Sequence, residues 1–171
     1  MGLGKSALIK RLESYWKMEL ASVFLIPGVC LFLCGLTGTW IGLFGCAGLL
    51  VMCVLLAIGA GYWRAKTLQL RGDTKPLKRL LFYASVLHLP LLVMLIGLAL
   101  ACAVDFVIYP IARNTGERVV AMMASMLALL EYVNYYQIQL QHFDHMPDFR
   151  RLLSGNGFRR SKMRLDLQRQ A

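Results

Sequence analysis

Ile41 to Tyr62 reads IGLFGCAGLLVMCVLLAIGAGY, and none of these residues carries a charge. At about 1.5 Å rise per residue, a helix of that length crosses the roughly 30 Å hydrocarbon core of a bilayer. It ends in Tyr62-Trp63-Arg64, the aromatic and basic edge expected at a membrane interface. Gly42, Gly45 and Gly48 recur along part of one surface of this helix, which permits close approach by a neighbour.

Working outward, the preceding apolar stretch runs from about Leu20 to Leu36 and is interrupted by Pro27-Gly28, where a kink is expected. Only Thr37-Gly38-Thr39 and Trp40, an interfacial anchor, separate it from the next span. Further on, apolar stretches cover about Leu80 to Val104, with His88 and Pro90 inside, and about Val119 to Ile138. These spans, about 20–36, 41–62, 80–104 and 119–138, predict an all-α integral membrane protein with four transmembrane helices arranged as two hairpins.

Residues 1–18 are expected to form an amphipathic helix in the interface. Leu8, Leu12, Tyr15 and Trp16 share one side, and Lys10, Glu13 and Lys17 share the other. In the basic connection at 64–79, Asp73 or Thr74 is placed to cap the third helix, with Pro76 in its first turn. Asn114 with Glu117 three residues on resembles a capping box. The bundle thus occupies 19–140, followed by a basic tail at 141–171. The tail carries two short helical candidates, one after Pro147 ending at Gly155 and one starting after Ser161. It is read as peripheral to the fold.

Composition agrees with a membrane protein: 58% of residues are hydrophobic and 16% charged, against about 25% charged in a soluble domain. A net charge of +10 would suit nucleic acid only on a soluble basic face, and no segment provides one. Four lysines and arginines precede the first span, six lie at 64–79 and seven in the tail; only Arg113 and Arg118 fall on the other side. The positive-inside rule therefore places both termini in the cytoplasm and gives the cytoplasmic face an affinity for anionic lipid headgroups. The membrane expected is a bacterial inner membrane rather than a eukaryotic one.

Cys30, Cys34, Cys46, Cys53 and Cys102 all lie in apolar stretches, where cysteine acts as a small hydrophobe. Gly4-Lys5-Ser6 lacks the upstream glycine and strand of a phosphate-binding loop. Gly2 and Ser6 fit a myristoylation pattern, but four spans make an acyl anchor superfluous.

Ionisable groups at membrane depth are costly and face a partner or water. Counted from the cytoplasmic side, His88 and Glu131 sit at similar depth, and Asn134 and Tyr135 share the Glu131 face at i+3 and i+4. The expectation is a polar pocket between the third and fourth spans in which His88 and Glu131 interact and Asn134 and Tyr135 assist. Such a group either binds a proton, a cation or a lipid headgroup, or serves packing alone. His142, Asp144, His145 and Asp148 form a second cluster at the cytoplasmic mouth, a candidate metal site. No cofactor is expected, and no nucleophile–base set for acyl transfer is legible. Three functions follow: a small membrane protein acting by binding, as an accessory or regulatory subunit with a protein partner or as a homo-oligomer; an oligomeric transporter or channel using His88/Glu131; or a lipid-modifying enzyme.

Overall fold

The computed structural model describes residues 2–140 and 159–169. Among the described residues there are five helices: α1 Gly2–Leu36, α2 Gly42–Leu70, α3 Lys75–Val107, α4 Thr115–Tyr136 and α5 Lys162–Gln168. The first four are long and apolar enough to cross a membrane. The candidate helix after Pro147 lies outside the described residues.

Two element boundaries differ from expectation. The amphipathic segment expected at 1–18 is no separate helix: α1 runs unbroken from Gly2 to Leu36, through Pro27. And α2 continues past Tyr62 to Leu70, because Ala65, Lys66, Leu68 and Gln69 are strong helix formers. Thr67 Oγ1 folds back onto the Trp63 carbonyl at 2.9 Å without interrupting it. The basic connection therefore shrinks to Arg71–Thr74, turned by Gly72 at φ +107°. Asp73 rather than Thr74 caps α3, its Oδ1 accepting from Lys75 N at 3.1 Å.

The helix α2 forms the centre of the bundle. In the most apolar stretch of each spanning helix, 61% of α2 and 44% of α4 is buried, but only 6% of α1 and 11% of α3. The glycine face explains the close α2–α4 pairing: a Cβ on Gly48 would lie 3.2 Å from Ala124 Cβ and 3.3 Å from the Ala121 carbonyl oxygen. The outer flanks of α1 and α3 present Phe24, Leu31, Phe32, Phe82, Leu89 and Val93 outward, as lipid-facing surfaces do.

At the end away from most basic residues, buried carboxylates fasten the loops. Asn114 Oδ1 accepts from Glu117 N at 2.9 Å, as a cap should. Glu117 does not complete the box on Asn114; it accepts from Arg113 N and, across the bundle, from Phe44 N, each at 2.9 Å. Gly42, at φ +54°, leaves room for that carboxylate. Asp105 pairs with Arg118 at 2.7 Å and accepts from Ile111 and Ala112 N. The loop after α3 folds back over its own last turn, which brings those amides to Asp105.

At the opposite end the carboxy-terminal segment is part of the fold. Met163 is 1% exposed. Ser161 caps α5 through Arg164 N and donates its hydroxyl to the Tyr135 carbonyl. Asp166 takes a hydrogen bond from Tyr62 and an ion pair from Lys66, both at 2.7 Å. An isolated antiparallel bridge joins Ile138 to Arg160.

Candidate functional site

Tyr135 and Glu131 are one turn apart on α4, and both turn toward α1 and α2 rather than α3. The residue they meet is Glu19, the only acidic residue between Glu13 and Asp73 and the last polar one before the apolar run of α1. Glu19 Oε1 accepts from Trp63 Nε1 at 3.1 Å and from the Tyr135 hydroxyl. Glu131 stands within electrostatic range of both Glu19 and Tyr135, with Asn134 in hydrogen-bonding reach of its carboxylate.

The site exists because α2 carries no side chain at its centre. A Cβ on Gly59 would collide with Glu19 Oε2 and the Tyr135 ring. Trp63, one turn further along, is held by ring contacts with Tyr15 at 5.6 Å and Tyr62 at 5.1 Å between centroids, which aim its N–H at Glu19. A space of about 10 Å³ beside Trp63, Asn134 and Tyr135 is about the size of one water. Among the described residues, Glu19 Oε2 and Glu131 Oε2 are buried without a hydrogen-bond partner. Like charges held together in low dielectric repel strongly, and a buried polar atom left unpaired costs about 1–3 kcal/mol. Chemically, the arrangement is an acceptor of positive charge.

His88 is placed elsewhere. Its Nε2 lies 2.9 Å from the Tyr132 hydroxyl, and its ring packs against Tyr132 and Tyr136 at 5.7 and 4.8 Å between centroids. Tyr136 in turn donates to the Ala84 carbonyl at 2.9 Å. Thus His88 belongs to an α3–α4 aromatic stack and Glu131 to an α1–α2–α4 carboxylate site. Similar depth put them together in the sequence; one residue of helical rotation, about 100° between positions 131 and 132, separates them. Asn134 also accepts from Leu140 N at 2.9 Å, holding the chain as it leaves α4. Sequence reasoning missed Glu19 and Gly59, and took Trp63 only for an interfacial edge. Their one sequence signal is an acidic residue set directly before an apolar run on the basic side.

His142, Asp144, His145 and Asp148 lie outside the described residues. Among the described residues no three His, Cys, Asp or Glu side chains are grouped to hold a metal ion. A groove of about 540 Å³ between α1 and α4, lined by residues such as Leu25, Val29, Val119 and Met123, is almost wholly apolar. The chain matches no protein-family model, no characterised protein and no solved structure. Fold and site together define a bundle with four helices long and apolar enough to cross a membrane and a half-buried carboxylate pair.

Proposed function

We propose that this chain is a small polytopic membrane protein of a bacterial inner membrane that acts by binding, as an accessory or regulatory subunit of a membrane assembly. A proton or small cation taken up between Glu19 and Glu131 sets its state. The observation that supports the reading is that pair: two carboxylates in electrostatic range, each with a buried oxygen unpaired among the described residues. Ionisable groups placed this way at membrane depth mark binding and relay sites. Both termini are cytoplasmic, the first turns of α1 lie at headgroup level, and the site sits near the cytoplasmic end of the bundle, where an associated protein can sense its occupancy.

The test is thermal unfolding of the purified protein in mild detergent across pH 5–9 and with added Na⁺, K⁺ or Ca²⁺. Acidification or one of the cations raises the midpoint of the wild type, and Glu19→Gln/Glu131→Gln abolishes that response. A wild-type midpoint indifferent to both would overturn the proposal.

A second reading, an oligomeric transporter or channel, is favoured by the same pair together with the large lipid-facing surfaces of α1 and α3, which leave room for further copies. Flux of the bound ion through proteoliposomes, lost in the same double variant, distinguishes it from a regulatory subunit. His88, the one histidine among the described residues, bonds to Tyr132 and to no serine or cysteine, so it lends no support to a lipid-modifying enzyme.

A further inference from the structure

Between α2 and α3, at the basic end of the bundle, lies a cleft of about 550 Å³. At its deep end the two helices meet closely: a Cβ on Gly61 would come within 2.8 Å of Leu80 Cδ1. From that contact the cleft opens toward the Arg71–Thr74 turn over about seven residues of helix, roughly 10 Å. Its walls are divided by chemistry. Leu68, Leu80 and Tyr83 are apolar, while Arg64, Lys75 and Arg79 stand exposed around the opening.

These three cations differ from Lys66 and Arg71 nearby. Lys66 and Arg71 are neutralised by Asp166 and Glu13. Arg64, Lys75 and Arg79 have no ion pair among the described residues. Arg64 lies over the Trp16 ring, 5.7 Å from its centroid, so α1 holds it in place while leaving its charge uncompensated. The single acid of the cleft, Asp73, accepts the Lys75 backbone N–H and caps α3. Three positive charges against one negative therefore face a common space.

We infer that this cleft is a binding site for an anionic phospholipid, whose phosphate sits among Arg64, Lys75 and Arg79 while its glycerol and upper acyl segments lie on Leu80 and Tyr83. Charge selects an anion, and guanidinium groups match phosphate oxygens in geometry. The apolar wall selects a lipid over a free ion. The cleft is continuous with exposed Phe82, Tyr83 and Val86 on α3, the surface along which acyl chains run. Basic pockets between spanning helices recognise headgroups by this combination. The site is separate from the Glu19–Glu131 pair and stands whether or not that pair binds a cation.

The experiment titrates detergent-purified protein with short-chain phosphatidylglycerol, phosphatidylcholine or inorganic phosphate, reading the unfolding midpoint, and counts retained lipid by native mass spectrometry. Phosphatidylglycerol is expected to stabilise the wild type and stay bound. Arg64→Gln/Arg79→Gln is expected to weaken its apparent affinity about fivefold per charge removed. Lys5→Gln/Lys10→Gln, which removes the same charge from the same side, leaves that affinity within twofold. Equal weakening by the two double variants would reduce the effect to general surface charge and overturn the site. Stabilisation by inorganic phosphate alone, or no preference for phosphatidylglycerol over phosphatidylcholine, would overturn it as well.

Discussion

Gly59 is small because two other side chains occupy its space. Adding one methyl group there pushes against Glu19 Oε2 and the Tyr135 ring, and overpacking of this kind costs about 1–3 kcal/mol. Gly59→Ala is therefore expected to lower the unfolding midpoint in detergent. Because the clash falls on the Tyr135 hydroxyl, Tyr135→Phe should cost less in the Gly59→Ala background than in the wild type. A double-mutant cycle that comes out additive would separate Gly59 from the site. Glu117 allows a second test. It is 2% exposed and receives two backbone amides, so Glu117→Ala leaves both unpaired, at about 1–3 kcal/mol each. Glu117→Gln keeps a carbonyl acceptor and is expected to retain part of that stability in the same measurement. The Asn114 cap was legible in the sequence because its partner is three residues away. The Glu19–Tyr135 bond was not, because its two ends lie 116 positions apart and nothing local encodes the rotation that joins them.

Helix α2 was recognisable as a span from composition, and its glycines as a packing face from spacing, because both are properties of a single helix. Which helix fills that face is a property of two. The filler is α4, whose Ala121, Ala124 and Ala128 are all buried. Small residues on both sides bring the backbones together, and dispersion at short range holds them. Gly48→Val should wedge the two apart, at about 1–3 kcal/mol, measured as a fall in detergent resistance; Gly97→Val, at a position with no neighbour within 4 Å, should be tolerated. The carboxy-terminal segment shows the opposite failure of sequence reading. Its polar, basic character reads as a peripheral tail, yet α5 sets Met163 against the bundle and Asp166 against Tyr62 and Lys66. One well-placed methionine and a few polar contacts are enough to dock a helix of seven residues, and composition averages them away. Truncation after Gln141 is expected to lower the unfolding midpoint, and Met163→Ala alone to cost about 2–5 kcal/mol.

Across the whole molecule the charges divide between the two ends. Most cations gather where α1 begins, where α2 gives way to α3 and around α5, while Arg113 and Arg118 stand at the far end with Asp105 and Glu117. In a cysteine-free background, single cysteines at Thr39 and Asn114 are expected to react with an impermeant reagent in intact cells, and one at Gly72 only after lysis. The reverse pattern would invert the proposed orientation. The central position of α2 also has a consequence for synthesis. The ribosome completes α2 at Leu70, but α4, which covers its glycine face, is complete only at Tyr136. At about 5–20 residues per second, those intervening residues take roughly 3–13 s. During that interval α2 has α1 beside it, while its narrow seam holds lipid that α4 must later expel. The order of translation thus makes the α2–α4 contact one of the last to form, and the helix at the centre is for some seconds an unfinished surface open to any other helix that reaches it first.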